Sequence, residues 1–295
     1  MQTNGPLGAL GSPLFLIPKL KKKRSVAILK LKGGLGNQLF QLAGFASYLR
    51  KFGVTGVIFD YDVRLSRRDG FIARYRNLNS RVFFDGTECF RATGVLEKFI
   101  QVLRREDTAN FLSIPTLREM DLETGGRLPS LFFVQDAFET IRFPERLANS
   151  DLDNLFELTQ QANSRSSTNS RIALHIRLTD FLPALPPDPA FIRSSITKLT
   201  KNSKLETVDC FTDDIPNASE FLSRHIPRVR FNFPEKINKL CPEELLYEIS
   251  RRNRIIGSRS SLAWWACYIA LKRDPSAQVI LPSGSGWHGL SSPLR

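Results

Sequence analysis

Four short clusters in this chain carry residue types that can grip an anion or move a proton. They are Gly33-Gly34-Leu35-Gly36-Asn37-Gln38-Leu39-Phe40, His175-Ile176-Arg177-Leu178-Thr179-Asp180-Phe181, Phe211-Thr212-Asp213-Asp214, and Gly257 to Ala266 with Ser260 and Ser261 at its centre. In the first, glycines permit positive φ and close ligand approach, while free N–H groups at the start of a following helix form an anion site. A phosphate or an oxygen-rich sugar is the expected guest. In the second, Arg177 can present its guanidinium fork to a diphosphate and neutralise charge growing on a leaving group. Asp180 is a candidate base, or else the orienting partner of Arg177 or His175. His175 either contacts a ligand or stabilises the strand end. Ser260 and Ser261 fall at a helix start, where hydroxyls and amides bind phosphate or act simply as a cap.

The glycine cluster also imitates a dinucleotide fingerprint, because Gly34-Leu35-Gly36 precedes a helical segment and Asp60 closes the apolar Val57-Ile58-Phe59. An NAD-dependent oxidoreductase is therefore a rival reading. Against it, Leu39 stands where the third glycine belongs. Asn37 and Gln38 put two amide side chains where helix-to-strand packing wants small residues.

The elements that must position these clusters follow from the pattern of apolar residues. An apolar run from Ser25 to Lys32 reads as a strand leading into the glycine turn and then a helix reaching Phe52; Leu131 to Val134 reads as a buried strand, and Phe143 to Gln161 as a helix. Gln161 to Ser170 has no large apolar residue and is the expected linker. Beyond it, strands at Arg171–Ile176, Leu205–Phe211, Val229–Phe231, Arg254–Ile256 and Val279–Leu281 alternate with helices at Pro189–Leu199, Ala218–Arg224, Glu243–Arg251 and Ser261–Lys272. Such alternation implies right-handed crossovers and a parallel sheet, with ligands at the carboxyl ends of its strands.

At 295 residues the chain has room for two domains, and 42% hydrophobic with 24% charged content is ordinary for a globular protein. The expected division is a basic tail at 1–24, one domain at 25–165 and a second at 166–295. Cys89, Cys210, Cys241 and Cys267 are scattered without zinc-type or disulfide-type spacing, which reads as free thiols in a reducing compartment. The net charge of +13 is concentrated partly in Lys19, Lys21, Lys22, Lys23 and Arg24, after the apolar Leu14-Phe15-Leu16-Ile17. That order is wrong for a secretory signal, and the apolar run is too short to span a bilayer. Two readings stand: a hook that docks peripherally on an anionic membrane face, and a solvated tail. Basic and aromatic residues are not interleaved as in a nucleic-acid module, so no nucleic-acid partner is expected.

The second cluster resembles the His-x-Arg-Arg-x-Asp motif of fucosyltransferases that use GDP-fucose, and the first resembles the Gly-Gly-Leu-Gly-Asn-Gln motif of their α-1,2-linking family. Phe211 to Asp214, Gly257 to Ala266 and Pro282 to Trp287 are similar, in order, to three further motifs of that family. The resemblance spans Leu31 to Trp287 and covers five ordered motifs; Gln135 matches a further position.

The resemblance implies an α/β, GT-B-like fold with two Rossmann-type domains facing a central cleft, the N-terminal one at 25–165 on the acceptor side and the C-terminal one at 166–295 holding most of the GDP-fucose donor. It implies an inverting glycosyltransferase that moves L-fucose from GDP-fucose to the 2-hydroxyl of a galactoside, in glycan or O-antigen-type synthesis. It carries Arg177 and Asp180 over as catalytic residues, and Gly34, Gly36, Asn37, Gln38, His175, Asp213, Asp214, Ser260 and Ser261 as substrate-binding ones. No cofactor is implied beyond the donor itself. Asp213-Asp214 can be read as a metal pair, but scattered histidines and Arg177 favour neutralisation by side chains, with an aspartate on ribose or guanine. The acceptor partner is a galactose-containing oligosaccharide or a lipid-linked glycan, and the expected location is cytoplasmic, peripheral to the inner membrane face. Three departures stand out: Leu178 replaces the motif's second arginine, Thr179 its usual glycine and Phe181 a frequent tyrosine. Leu178 is expected to cost one phosphate or carboxylate contact, which keeps open a glycan-binding or membrane-associated protein without catalysis.

Overall fold

A computed structural model describes residues 25–31, 33–59, 87, 89–91, 116–117, 128–134, 171–178, 186–200, 207–234 and 240–282. Asp180, Phe181, Thr179, Asp60, Gln135, the basic tail, the arginine-rich 61–81 stretch, the helix expected at 143–161, the linker and Trp287 lie outside them.

The first sheet is built from Val26–Lys30 (β1), Thr55–Phe59 (β2), Cys89–Arg91 (β3), Thr116–Leu117 (β4) and Leu131–Val134 (β5), ordered β3-β2-β1-β5-β4. Every pairing in it is parallel. Between β1 and β2 runs Leu35–Phe52 (α1), turned back by Gly53 at φ +60. Val26 to Leu29 and Phe132 to Val134 are buried. Strands covered on both faces read as continuous apolar runs, which is why both were visible in sequence.

The second sheet comprises Ile172–Ile176 (β6), Val208–Thr212 (β7), Phe231–Asn232 (β8), Arg254–Ile256 (β9) and Gln278–Ile280 (β10). Its order is β10-β9-β6-β7-β8, again all parallel. The helices are Pro189–Leu199 (α2), Ile215–His225 (α3), Pro242–Ser250 (α4) and Ser261–Arg273 (α5). Asp188 caps α2 by accepting from the Ala190 amide at 2.8 Å, and proline follows at the first helical position. Ser261 through Ala270 of α5 are all buried, so this helix is apolar around its circumference and sits inside the unit.

Contacts divide the chain into two compact units. One takes the described residues within Met1–Lys30, Tyr48–Asp60 and Thr87–Gln135; the other takes those within Leu31–Ser47, Tyr61–Gly86 and Asp136–Arg295. The glycine turn and the first part of α1 thus group with the second sheet. Aromatic packing holds them there: the Phe40 ring lies 4.8 Å from Trp264 and 5.1 Å from Trp265, and Phe40 and Trp265 are fully buried. Both tryptophans are core residues, as their apolar surroundings in sequence suggest. Burial of two such rings contributes on the order of 3 to 5 kcal/mol each against truncation.

One charge inside this unit has a structural answer. Asp209 sits in the middle of β7 and is buried, with Arg252 Nη2 at 3.1 Å, Arg171 Nη1 at 3.4 Å and the Asn232 amide donating at 2.8 Å. A carboxylate in an apolar strand persists only when paired and hydrogen-bonded in this way. The four described cysteines are free thiols, and burial pushes Cys241 up to about 12 and Cys210 and Cys267 higher. None of these three is a thiolate at neutral pH. Among the described residues no helix is long and apolar enough to cross a membrane.

Candidate functional site

Strand order reverses between β6 and β9, because β7 and β8 extend the sheet on one side of β6 and β9 and β10 on the other. The crevice beyond the carboxyl ends at such a reversal is where open parallel sheets bind ligands. Here β6 delivers His175 and Arg177, and β9 runs into Gly257, Ser258, Arg259 and Ser260. A cavity of about 580 Å³ opens at this point, lined among others by Arg177, His175, Asp213, Ser260, Ser261, Gly34 and Gly36.

Within the glycine turn, Gly36 stands where nothing larger would fit. Gly33 has φ +77, a conformation L side chains rarely adopt, and a Cβ added to Gly36 would overlap the backbone of Ser261 and Leu262 and come within 2.6 Å of Ser261 Oγ. Gly36 therefore brings the first turn of α1 directly against the first turn of α5. Gly34, by contrast, faces open space.

Four helices begin at this cavity: α1 at Gly34 to Gly36, α3 at Asp214 to Pro216, α4 at Pro242 and α5 at Ser260 to Leu262. Each start presents unpaired N–H groups and partial positive charge. Two are already answered by the chain's own carboxylates. Asp214 accepts from the Asn217 backbone amide at 3.1 Å and from its side-chain amide at 2.6 Å, and Glu244 accepts from the Cys241 amide at 2.9 Å. The other two, α1 and α5, have no acidic residue in the first turn, and α5 has no side-chain cap bond. The Ser260 hydroxyl is buried and finds no hydrogen-bond partner among the described residues. Two adjoining helix starts without an acid in the first turn, on a cavity that Arg177 also lines, have the features that suit an oxyanion such as a phosphate.

Asp213 is fixed differently from its neighbour. Its Oδ1 accepts the Leu178 amide at 2.9 Å, tying the end of β7 to the end of β6. His175 is buried, and its Nδ1 lies 2.8 Å from Ser258 Oγ across the β6–β9 junction. Burial lowers its pKa to about 4, outweighing the upward pull of Asp213, so the ring is neutral at pH 7. It supplies a hydrogen-bonding wall, not a charge. The Leu178 side chain is buried in the hydrophobic cluster with Ile176, Ile192 and Ile256.

The structure thus gathers Gly34, Gly36, His175, Arg177, Asp213, Asp214, Ser260 and Ser261 around one cavity. Gln38 is turned inward: it is buried, and its Nε2 donates to the Gly33 carbonyl at 2.8 Å, clamping the turn. The Asn37 side chain lies against Gly33, whose hypothetical Cβ would stand 2.9 Å from Asn37 Nδ2, and Asn37 is absent from the cavity wall. Asp180 lies outside the described residues. Sequence reading missed Ile215, Pro216, Leu240, Pro242 and Leu245, which also line the wall. The two prolines in helix first turns, Pro216 and Pro242, were the available signal.

Two units, each with a five-stranded all-parallel sheet, can be compared with solved structures. POFUT1 in its apo form matches with TM-score 0.52 and 10% identity over 89% of this chain and 99% of that one. FUT1 of Arabidopsis thaliana, a mutant in complex with GDP, matches with TM-score 0.50 and 12% identity over 89% and 71%. This is a GT-B-like fold. The fucosyltransferase NodZ from Bradyrhizobium also matches, with TM-score 0.49 and 18% identity over 84% and 94%. The sequence matches no family model and no curated protein. In the GT-B-like frame the cavity described above lies at the strand-order reversal of the C-terminal sheet, with a loop from the N-terminal part of the chain completing its wall.

Proposed function

We propose that this protein is an inverting glycosyltransferase that moves L-fucose from GDP-fucose to the 2-hydroxyl of a galactoside. The observation that carries the reading is the convergence of Arg177 with the anion-free starts of α1 and α5 on one cavity. A nucleoside diphosphate leaving group needs compensation where its charge develops, and these groups provide it in fixed orientation. POFUT1 and FUT1, which share the fold, were crystallised with GDP.

In this reading the α1 and α5 amides, Arg177 and the Ser260 hydroxyl hold the diphosphate. The acceptor oxygen bonds to the fucose anomeric carbon as its bond to phosphate breaks, and the acceptor proton passes to a base, for which Asp180 is the candidate. Asp213 and Asp214 both line the cavity and are the candidates for the contact with ribose or base. Arginine and helix starts perform the neutralisation without a metal. The Leu178 side chain belongs to the apolar cluster, and turnover in the assay below separates an active enzyme from a protein that binds without catalysis. The test is incubation with GDP-fucose and β-galactosides, with and without EDTA. Fucosylated product and free GDP in both arms support the reading; NAD binding with no GDP binding refutes it.

A further inference from the structure

Because every strand of the second sheet runs the same way, the amino ends of its strands share one edge, and the carboxyl ends, with the cavity, share the other. The charges of this unit divide between the two edges. Asp188, Asp213, Asp214, Glu243 and Glu244 all stand at strand ends or helix starts on the cavity side. On the opposite side Arg171 precedes β6, Arg228 and Arg230 precede β8, and Arg254 opens β9. Lys198 and Arg224 join them there, in the last turns of α2 and α3. We infer that this amino-end edge is a docking face for an anionic membrane surface.

The acids that could neutralise the edge are largely engaged elsewhere. Asp209 is buried against Arg252 at 3.1 Å, and Glu248 pairs with Arg251 at 3.5 Å. Lys198 and Arg224 complement the dipoles of the helices that they end. Arg228 and Arg230 lie beyond α3 and answer no helix end. Arg224, Arg228 and Arg230 are all exposed, and none forms a salt bridge with a described residue. Against them α3 carries one exposed acid, Glu220.

The sequence between these cations narrows the partner. In Arg228-Val229-Arg230-Phe231 the arginines alternate with apolar side chains that are only partly buried against the core. Such a mixture suits the headgroup boundary of an anionic bilayer, where apolar groups enter the interface and each nearby cation strengthens binding about fivefold. The edge of five strands is about 20 Å wide, at about 4.8 Å between neighbours, so its charge is spread over a surface instead of converging on a small ligand. The cavity at Arg177 opens on the other edge. Docking therefore leaves its mouth free.

Vesicle flotation tests the assignment. The whole 295-residue chain is mixed with vesicles of phosphatidylcholine alone, and of equal parts phosphatidylcholine and phosphatidylglycerol. Three proteins are compared: the wild type, Arg224→Gln/Arg228→Gln/Arg230→Gln, and Arg224→Lys/Arg228→Lys/Arg230→Lys, with thermal melts to show that all are folded. The wild type should float with the anionic vesicles and not with the neutral ones. The glutamine variant should bind the anionic vesicles about a hundredfold more weakly, and the lysine variant within about threefold of wild type. A glutamine variant that floats like the wild type would overturn the inference and assign any membrane binding to the basic stretch Lys19 to Arg24. A wild type that floats with neither vesicle would overturn it as well. So would tighter wild-type binding to single-stranded RNA than to the vesicles, lost in the glutamine variant, which would give the face to nucleic acid. A lysine variant as weak as the glutamine one would show that the guanidinium forks hold a specific ligand, and this too would contradict a membrane face.

Discussion

The Nδ1 of His175 and the Oγ of Ser258 lie 2.8 Å apart, joining the carboxyl ends of β6 and β9 where the strand order reverses. The bond continues, beyond the last paired residues, a ladder that matches Ala173 with Ile255 and Leu174 with Ile256. His175 lines the cavity described above and, with Ser258, a smaller one of about 290 Å³.

The pH dependence of stability follows from this buried ring. The folded pKa of His175 is near 4, against 6.5 for a solvated histidine, so between those values the unfolded chain binds the proton that the folded one refuses. Stability from this group is complete above about pH 6.5 and falls as pH drops toward 4, by roughly 3 kcal/mol at most. Urea melts at pH 7 and pH 4.5 check this in the wild type and in His175→Asn. The variant should lose part of the acid-limb slope; an identical slope in both proteins would contradict the assignment.

Gly36 and Gly34 separate two roles within one motif. Gly36→Ala forces a Cβ into the backbone of α5 and should destabilise by about 1 to 3 kcal/mol, with GDP affinity lowered tenfold or more. Gly34→Ala meets nothing within 4 Å and should melt within about 0.5 kcal/mol of wild type. Thermal melts and GDP titrations of the pair read the difference directly, and equal behaviour would show that α1 and α5 do not meet as described.

Leu178→Arg restores the family's second arginine at a buried position. The expected outcome is a loss of about 2 to 4 kcal/mol of stability with no gain in GDP affinity, because the guanidinium would enter the apolar cluster around Ile176 and Ile192. A stable variant that binds GDP more tightly would place this side chain in the cavity instead.

Asp209→Ala leaves Arg252 charged and buried without its 3.1 Å partner. The cost should be about 3 to 5 kcal/mol, larger than for Arg171→Ala, whose side chain is half exposed. Chemical denaturation of both variants checks the ordering.

Sequence revealed most where periodicity and burial coincide. The strands β5 and β9 and the helix α2 have the expected bounds, because short apolar runs flanked by proline, glycine or polar residues leave little choice of register. That Arg177 and Ser260 line one cavity was legible from a strand-end position, a helix-start position and the family resemblance together. Docking of Gly36 on Ser261 was not, since the two lie more than two hundred residues apart and a glycine motif does not say which helix it meets. Gln38 was read as facing ligand, yet it clamps its own turn, because side-chain direction on a buried helix depends on tertiary packing. Leu178 is the same lesson: its place in the core is decided by α2 and β9, not by its neighbours in sequence. The Asp209–Arg252 pair left a faint trace, a lone acid inside the apolar Val208 to Phe211, which demands a partner without naming it.

The measurement that most directly tests the anion site is calorimetric titration of GDP into the wild-type protein, Arg177→Ala and Arg177→Lys. Wild-type binding that weakens at least a hundredfold in the alanine variant and less in the lysine one, with all three equally folded, is the predicted result. Equal GDP affinity in wild type and Arg177→Ala would contradict the diphosphate site at the starts of α1 and α5.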